Sequence, residues 1–155
     1  MSEHRARINW RRETLDFTPD TYDRDHTWSF SDTVQVRASA APDYRGNAEF
    51  VDPEQGYVAA LSSCHMLTFL ALASKRGFTV DTYDDEAIGH LEKNHEGRMA
   101  MTRVELRPSI TFAQGAAPSS EELAGLHEKA HKYCFIANSV RTEVTVASGP
   151  DGGTP

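Results

Sequence analysis

Apolar residues alternate with polar ones early in the chain and lose that alternation near its middle. From His26 to Ala40, the residues Trp28, Phe30, Val34, Val36, Ala38 and Ala40 all occupy even positions. This is the period of a half-buried strand, with Ser31 and Asp32 marking a turn or bulge. Ile8 and Trp10 alternate with polar neighbours in the same way. Residues 41–51 hold Pro42, Gly46 and Asn47 and read as a loop. The pattern then changes. Over residues 53–76, Tyr57, Val58, Leu61, Met66, Leu67, Phe69, Leu70 and Leu72 leave no broad polar face, so the segment reads as a helix for a core or a subunit interface.

The ends of that helix are written in the sequence. Asp52 can cap it, Pro53 suits its first position, and Gln55 stands where a capping-box partner belongs. Lys75 and Arg76 precede Gly77, a C-terminal stop. Two strands are expected next, over 79–93 and 98–113, joined by Asn94-His95-Glu96-Gly97. Ser119-Ser120-Glu121-Glu122 opens a second helix whose inner face carries Leu123, Leu126 and Ala130. A last strand covers 141–147, with Val144 and Val146 on one side. The picture is an α+β chain with one domain over 1–147 and a disordered tail over 148–155.

Composition narrows the function classes. Sixteen Lys and Arg against 23 Asp and Glu give a net charge of −7, the wrong sign for a phosphate backbone, so no nucleic-acid partner is expected. No uninterrupted apolar run approaches the roughly 18 residues that span a bilayer, and Met1-Ser2-Glu3-His4-Arg5 is not a leader, so a cytoplasmic protein without a membrane partner is expected. In that compartment the two cysteines, Cys64 and Cys134, are free core thiols, metal ligands or catalysts rather than a structural disulfide. A free cysteine often packs as a small hydrophobe, and that plain reading stays open for each.

Asp52-Pro53-Glu54-Gln55, Ser63-Cys64-His65-Met66-Leu67 and His131-Lys132-Tyr133-Cys134, with the order of elements around them, resemble the OsmC/Ohr family of thiol-dependent hydroperoxide reductases, in its OsmC-like branch. The resemblance covers roughly residues 5–147. It implies an α+β OsmC-like fold in which curved antiparallel sheets wrap two central helices of an intertwined homodimer. It also implies a thiol peroxidase that reduces organic hydroperoxides to alcohols without a cofactor. Cys64 would be the peroxidatic cysteine and Cys134 the resolving one. A dithiol reductant, a lipoylated protein or thioredoxin, would restore the thiols.

The family pairs a glutamate at the position of Glu54 with an arginine that activates the first cysteine. Arg45, on the loop before the helix, is the preferred arginine here; Arg37, on the odd side of its strand, and the N-terminal Arg5 and Arg7 are alternatives. Ten helical residues separate Glu54 from Cys64 by about 15 Å, so the two cooperate only across subunits or through a broken helix. His65, adjacent to Cys64, points about 100° away from it and is expected to line the pocket or to meet a partner from another element. Two other readings are kept: an OsmC-fold small-molecule binding protein with little turnover, and a metal-binding protein using His127, His131 and Cys134, which share one helical neighbourhood.

Overall fold

The computed structural model describes residues 1–147. The 148–155 tail, expected to be disordered, lies outside the described residues. The chain forms two compact units, Met1–Gly56 and Tyr57–Pro155.

In the first unit, β1 (Arg7–Asn9), β2 (His26–Ser29) and β3 (Gln35–Ala38) form an antiparallel sheet in that order. Ser31 and Asp32 reverse the chain. The Phe30 N–H donates to the Val34 carbonyl at 2.9 Å, and Ser31 Oγ accepts the N–H of Val34 at 3.0 Å. Trp28 pairs with Val36 across this hairpin, so residues of equal parity face each other and the even-numbered apolar set stays on one side. The loop after β3 returns through Val51, which forms an isolated parallel bridge to the buried Ala38.

Helix α1 (Pro53–Lys75) starts as its sequence requires. Asp52 Oδ1 accepts the Gln55 N–H at 2.7 Å, and Gln55 Oε1 accepts the Asp52 N–H at 3.1 Å, a reciprocal cap. A Cβ on Gly56 would lie 2.7 Å from the Trp28 ring, so only glycine lets the β2 indole rest against the first turn. At the other end, Gly77 takes φ +80°, and the N–H groups of Gly77 and Phe78 donate to the carbonyls of Ser74 and Ala73. This is the Schellman closure that a glycine in left-handed geometry permits.

The second unit holds β4 (Val80–Asp85), β5 (Ile88–Lys93), β6 (Met99–Leu106), β7 (Pro108–Phe112), α2 (Ser120–Tyr133) and β8 (Glu143–Val146). The two strands expected over 79–93 and 98–113 are each divided in two. β4 pairs with β7 in one sheet, and β5 pairs with β6 in another. Asp85 marks the break: its Oδ1 accepts the Arg107 N–H at 2.6 Å, where a continuous ladder would have used a backbone carbonyl. An alternating pattern reports which face is buried, not whether the ladder bends, so the division left no trace in the period. β8 joins β6 in parallel, whereas the other strand pairings are antiparallel. The 94–97 connection closes as expected, with Gly97 at φ +76° and Asn94 Oδ1 accepting the N–H groups of Glu96 and Arg98.

The core of this unit has two clusters. Phe69, Ala73, Leu126 and Ala130 are fully buried, with Leu123, Val80, Ile110 and Phe112 packed against them. Leu61, Val104 and Leu106 form the second, covered by Val140, Val144 and Val146. On α1 the buried residues Leu61, His65, Phe69 and Ala73 fall four apart, a single stripe, while Leu67 on another side is 60% exposed. The expectation that no segment is apolar enough to span a bilayer needs correction. It rested on uninterrupted runs, whereas α1 is long enough and reaches a mean hydropathy of 1.5 over an eighteen-residue window. Its buried stripe makes it a core helix of this unit.

Candidate functional site

Cys64 lies in the middle of α1 and is half-buried; Cys134 is 1% exposed. The sequence had placed Cys134 inside the second helix. It is instead the C-cap of α2, with φ −68° and ψ 114°, on the turn that leads out of the helix. That turn is tightly held. The Ala137 N–H donates to Cys134 Sγ at 3.4 Å, and the backbone and side-chain amides of Asn138 both donate to the Cys134 carbonyl. This anchoring holds Cys134 in the turn, with Cys64 of α1 as a titratable neighbour.

Both thiols are reduced, and the contact is asymmetric. Burial pushes the Cys134 thiol above its ordinary pKa, a hydrogen bond with the Cys64 side chain pushes it further, and the Ala137 N–H opposes both. Cys134 is therefore held protonated at neutral pH. Two cysteines seventy residues apart, one within α1 and one on the turn that ends α2, are thus neighbours in this unit.

A second polar group lies on the same two helices. His65, 1% exposed, meets His127 of α2, with Nε2 and Nδ1 3.1 Å apart and the rings 7° from coplanar. Phe69 stacks on His127 at 4.6 Å between centroids. Burial, with the nearby His127 and His131, pushes His65 down to about 4. Burial also lowers His127, with Asp85 acting weakly in the other direction. Both imidazoles are consequently neutral at pH 7. His65 thus finds its partner on another element, as its position beside Cys64 suggested.

Asp85 was missed by the sequence reading. Its second oxygen accepts the Ser62 hydroxyl at 2.5 Å, tying the sheet bend to α1 two residues before Cys64. Tyr83 beside it has a buried hydroxyl without a partner among the described residues, and burial holds that phenol protonated. Asp85 gave one signal, a run of three carboxylates, Asp84-Asp85-Glu86, inside the span expected to be one strand. For His65 the signal was its place four residues from both Leu61 and Phe69 on an apolar helix.

The remaining candidates lie in the first unit. Glu54 is half-buried in the first turn of α1. Because α1 is unbroken from Pro53 to Lys75, the ten residues from Glu54 to Cys64 span about 15 Å of helix axis. Arg45 takes the left-handed φ of 64°, and its guanidinium forms an ion pair with Asp20 and donates to the Pro19 carbonyl. Arg37 stacks over the Phe50 ring at 3.9 Å. Arg5 pairs with Glu3 at 2.7 Å, and Arg7 starts β1.

The grouping of His127, His131 and Cys134 as a metal site is not assembled. Among the described residues no three His, Cys, Asp or Glu side chains converge on a position that could hold a metal. His127 turns inward to His65, His131 stays exposed, and Cys134 has left the helical repeat that would have aligned it with them.

The sequence pattern of the OsmC-like protein family matches residues 46–148. The chain belongs to the OsmC-like family. No curated protein matches it. Among solved structures, an OsmC-like protein of unknown function from Vibrio cholerae is similar at 44% identity, over 95% of this chain and 99% of that one, with a TM-score of 0.91. An organic hydroperoxide resistance protein, OsmC, from Legionella pneumophila shares the fold at 16% identity, TM-score 0.70, over 95% and 98% of the two chains. The organic hydroperoxide resistance protein OhrB of Bacillus subtilis does so at 17% identity, TM-score 0.65, over 92% and 96%. The α+β arrangement of this OsmC-like chain is accordingly that of the family.

Proposed function

We propose that this protein is a cysteine-dependent peroxidase that reduces organic hydroperoxides, with Cys64 as the attacking thiol and Cys134 as the resolving thiol. The observation that supports this reading is that Cys64, half-buried on α1, is a neighbour of the buried Cys134 and helps to raise its pKa. The Legionella pneumophila and Bacillus subtilis proteins that share the fold are organic hydroperoxide resistance proteins, which agrees with the substrate class.

The chemistry balances in three steps. The Cys64 thiolate attacks the terminal peroxide oxygen; an S–O bond forms, the O–O bond breaks, and the alkoxide takes a proton to leave as alcohol. The Cys64 sulfenic acid then meets Cys134, the S–S bond forms, and the hydroxyl departs as water. The proton that this water needs is the one that burial keeps on Cys134. A dithiol reductant, of the lipoyl or thioredoxin kind, returns both thiols by exchange and leaves as its own disulfide.

Arg45 supplies the cation beside Cys64 and orients the peroxide, and Glu54 orients the arginine. In this structure Arg45 is paired with Asp20, so its service to a thiol requires exchange of that carboxylate for Glu54. Because Glu54 and Cys64 of one chain are separated by a continuous helix, a homodimer is the arrangement in which they cooperate. The protein works in a reducing compartment, the cytoplasm.

Rapid mixing of the reduced protein with one equivalent of an alkyl hydroperoxide, followed by peptide mapping, tests the reading. A Cys64–Cys134 disulfide formed within one chain is the expected product. Over-oxidised Cys64 beside untouched Cys134 would remove Cys134 as resolving residue. No thiol oxidation at all would favour the binding-protein alternative with little turnover.

A further inference from the structure

The Met1–Gly56 unit carries a wide, open depression of about 430 Å³, none of whose lining residues has a part in the thiol chemistry. Its walls are chiefly Ile8, Trp10, Phe17 and Tyr22, with Arg24 and His26 as the polar members. The three aromatic rings touch at steep angles rather than stacking closed: 5.8 Å and 54° for Trp10 with Phe17, 6.4 Å and 84° for Trp10 with Tyr22, 5.2 Å and 48° for Phe17 with Tyr22. Phe17 is 64% exposed.

The cup is held in shape by polar ties on its outside. The Trp10 indole N–H donates to the Asp23 carbonyl at 2.7 Å. The Trp28 indole N–H donates to His26 Nε2 at 2.9 Å, which leaves Nδ1 as donor to the Arg24 carbonyl at 2.8 Å, so both His26 nitrogens are used. Arg24 lies over the Tyr22 ring at 4.1 Å and donates to the carbonyls of Tyr22 and Pro19 at 2.9 Å each. Neutral carbonyls orient this guanidinium, and among the described residues it has no carboxylate ion-pair partner. Its remaining N–H groups and its charge are available at the wall of the cup.

We propose that this cavity binds a small apolar organic acid, an alkyl or aromatic carboxylate, with its hydrocarbon part against Trp10, Phe17 and Tyr22 and its carboxylate on Arg24. The volume suits a small organic ligand rather than a peptide or a nucleic acid. An organic cation would face the Arg24 charge, and a sugar would find few hydrogen-bonding groups on the walls. A phosphate group would find one guanidinium where several donors are needed, while a carboxylate matches the planar fork of one arginine.

Calorimetric titration of the full-length protein with decanoate, below its micelle concentration, tests the assignment. Saturable binding at one molecule per chain is expected. Phe17→Ala should weaken it by about tenfold or more, as loss of an aromatic wall does. Arg24→Gln should weaken decanoate by about tenfold through loss of a charge-assisted contact, while leaving decan-1-ol unchanged and peroxide oxidation of Cys64 at its normal rate. Absence of saturable binding, or equal weakening of acid and alcohol by Arg24→Gln, overturns the proposal. Decanoate binding that appears only on dilution, with Trp10 emission shifting in step, also overturns it, because a second copy of the chain then fills the cup. Unchanged circular dichroism of each variant keeps a folding failure apart from these outcomes.

Discussion

His65 and His127 share a hydrogen bond, Nε2 to Nδ1 at 3.1 Å, between two helices that also bury Phe69, Ala73, Leu126 and Ala130 together. An imidazole in that position is tolerated only while neutral. His65 is pushed by burial, and then by its histidine neighbours, to about 4, against an ordinary 6.5. Between those values the unfolded chain binds a proton that the folded chain refuses. Stability is therefore fully present above pH 6.5 and is lost as pH falls toward 4. The shift alone sets a ceiling of about 3 kcal/mol, and solvent screening reduces it to roughly 2 kcal/mol. Urea midpoints at pH 7.5, 5.5 and 4.5 should fall accordingly, and His65→Leu should flatten that slope. An unchanged slope would place the acid sensitivity elsewhere.

The asymmetry of the thiols leads to different failures for their variants. Cys64→Ser should abolish hydroperoxide reduction. Cys134→Ser should permit one oxidation per chain and then stall, with Cys64 advancing to sulfinic acid under excess peroxide. Mass spectrometry after one and ten equivalents distinguishes the two. Continued turnover in Cys134→Ser, with the same dithiol reductant, would show that the reductant resolves Cys64 directly.

The two arginines differ in what they would have to give up. Arg45 must leave Asp20, whereas Arg37 must leave the Phe50 ring. If Arg45 serves the site, Arg45→Ala should slow the first oxidation of Cys64 by about tenfold or more, on the scale of a lost charge-assisted contact, and Arg37→Ala should change it little. Asp20→Asn, which loosens the resting pair, should preserve or raise the rate. A slow Arg37→Ala beside a normal Arg45→Ala would reverse the assignment and leave the cysteine chemistry standing.

Much of this architecture was legible because local signals and burial agreed. The caps at Asp52 and Ser119 and the stop at Gly77 set the helix ends within a residue or so of their observed bounds. The even-numbered apolar set of β2 and β3 was read correctly, since a hairpin with equal-parity register preserves it. The bend that splits the long hairpin was not legible. It depends on a side chain, Asp85, replacing a ladder acceptor, and alternation is indifferent to that. The pairing of Cys64 with Cys134 rested on their being the only two thiols, both on core-like segments, and on the family resemblance, because nothing in spacing brings residues seventy apart together. The His65–His127 pair was half-legible: His65 was expected to line the pocket or to meet a partner from another element, but His-x3-His suggested a metal where the structure makes a neutral hydrogen bond.

The uncovered side of α1 leads to the last expectation. The helix is apolar nearly all round, yet its fully buried residues fall on one stripe, and Leu67 is 60% exposed. A helix of this kind is stable in water when something covers the rest of it, and a second copy of the chain does so in the proposed site. The protein should therefore be a homodimer in light scattering at micromolar concentration, and a monomer there would remove the shared-site reading. The unbroken helix adds a sharper test, because Glu54 and Cys64 of one chain stand about 15 Å apart along it. Glu54→Ala and Cys64→Ser chains, each inactive alone, should recover up to about half of the wild-type rate per mixed dimer when co-expressed, since one of its two sites then has both residues intact. Mixed dimers with no activity would put Glu54 and Cys64 of the same chain in one site, which requires α1 to break between them in solution. Hydrogen exchange of the amides from Tyr57 to Ser63 reads that directly: strong protection belongs to the shared site, and fast exchange to the broken helix.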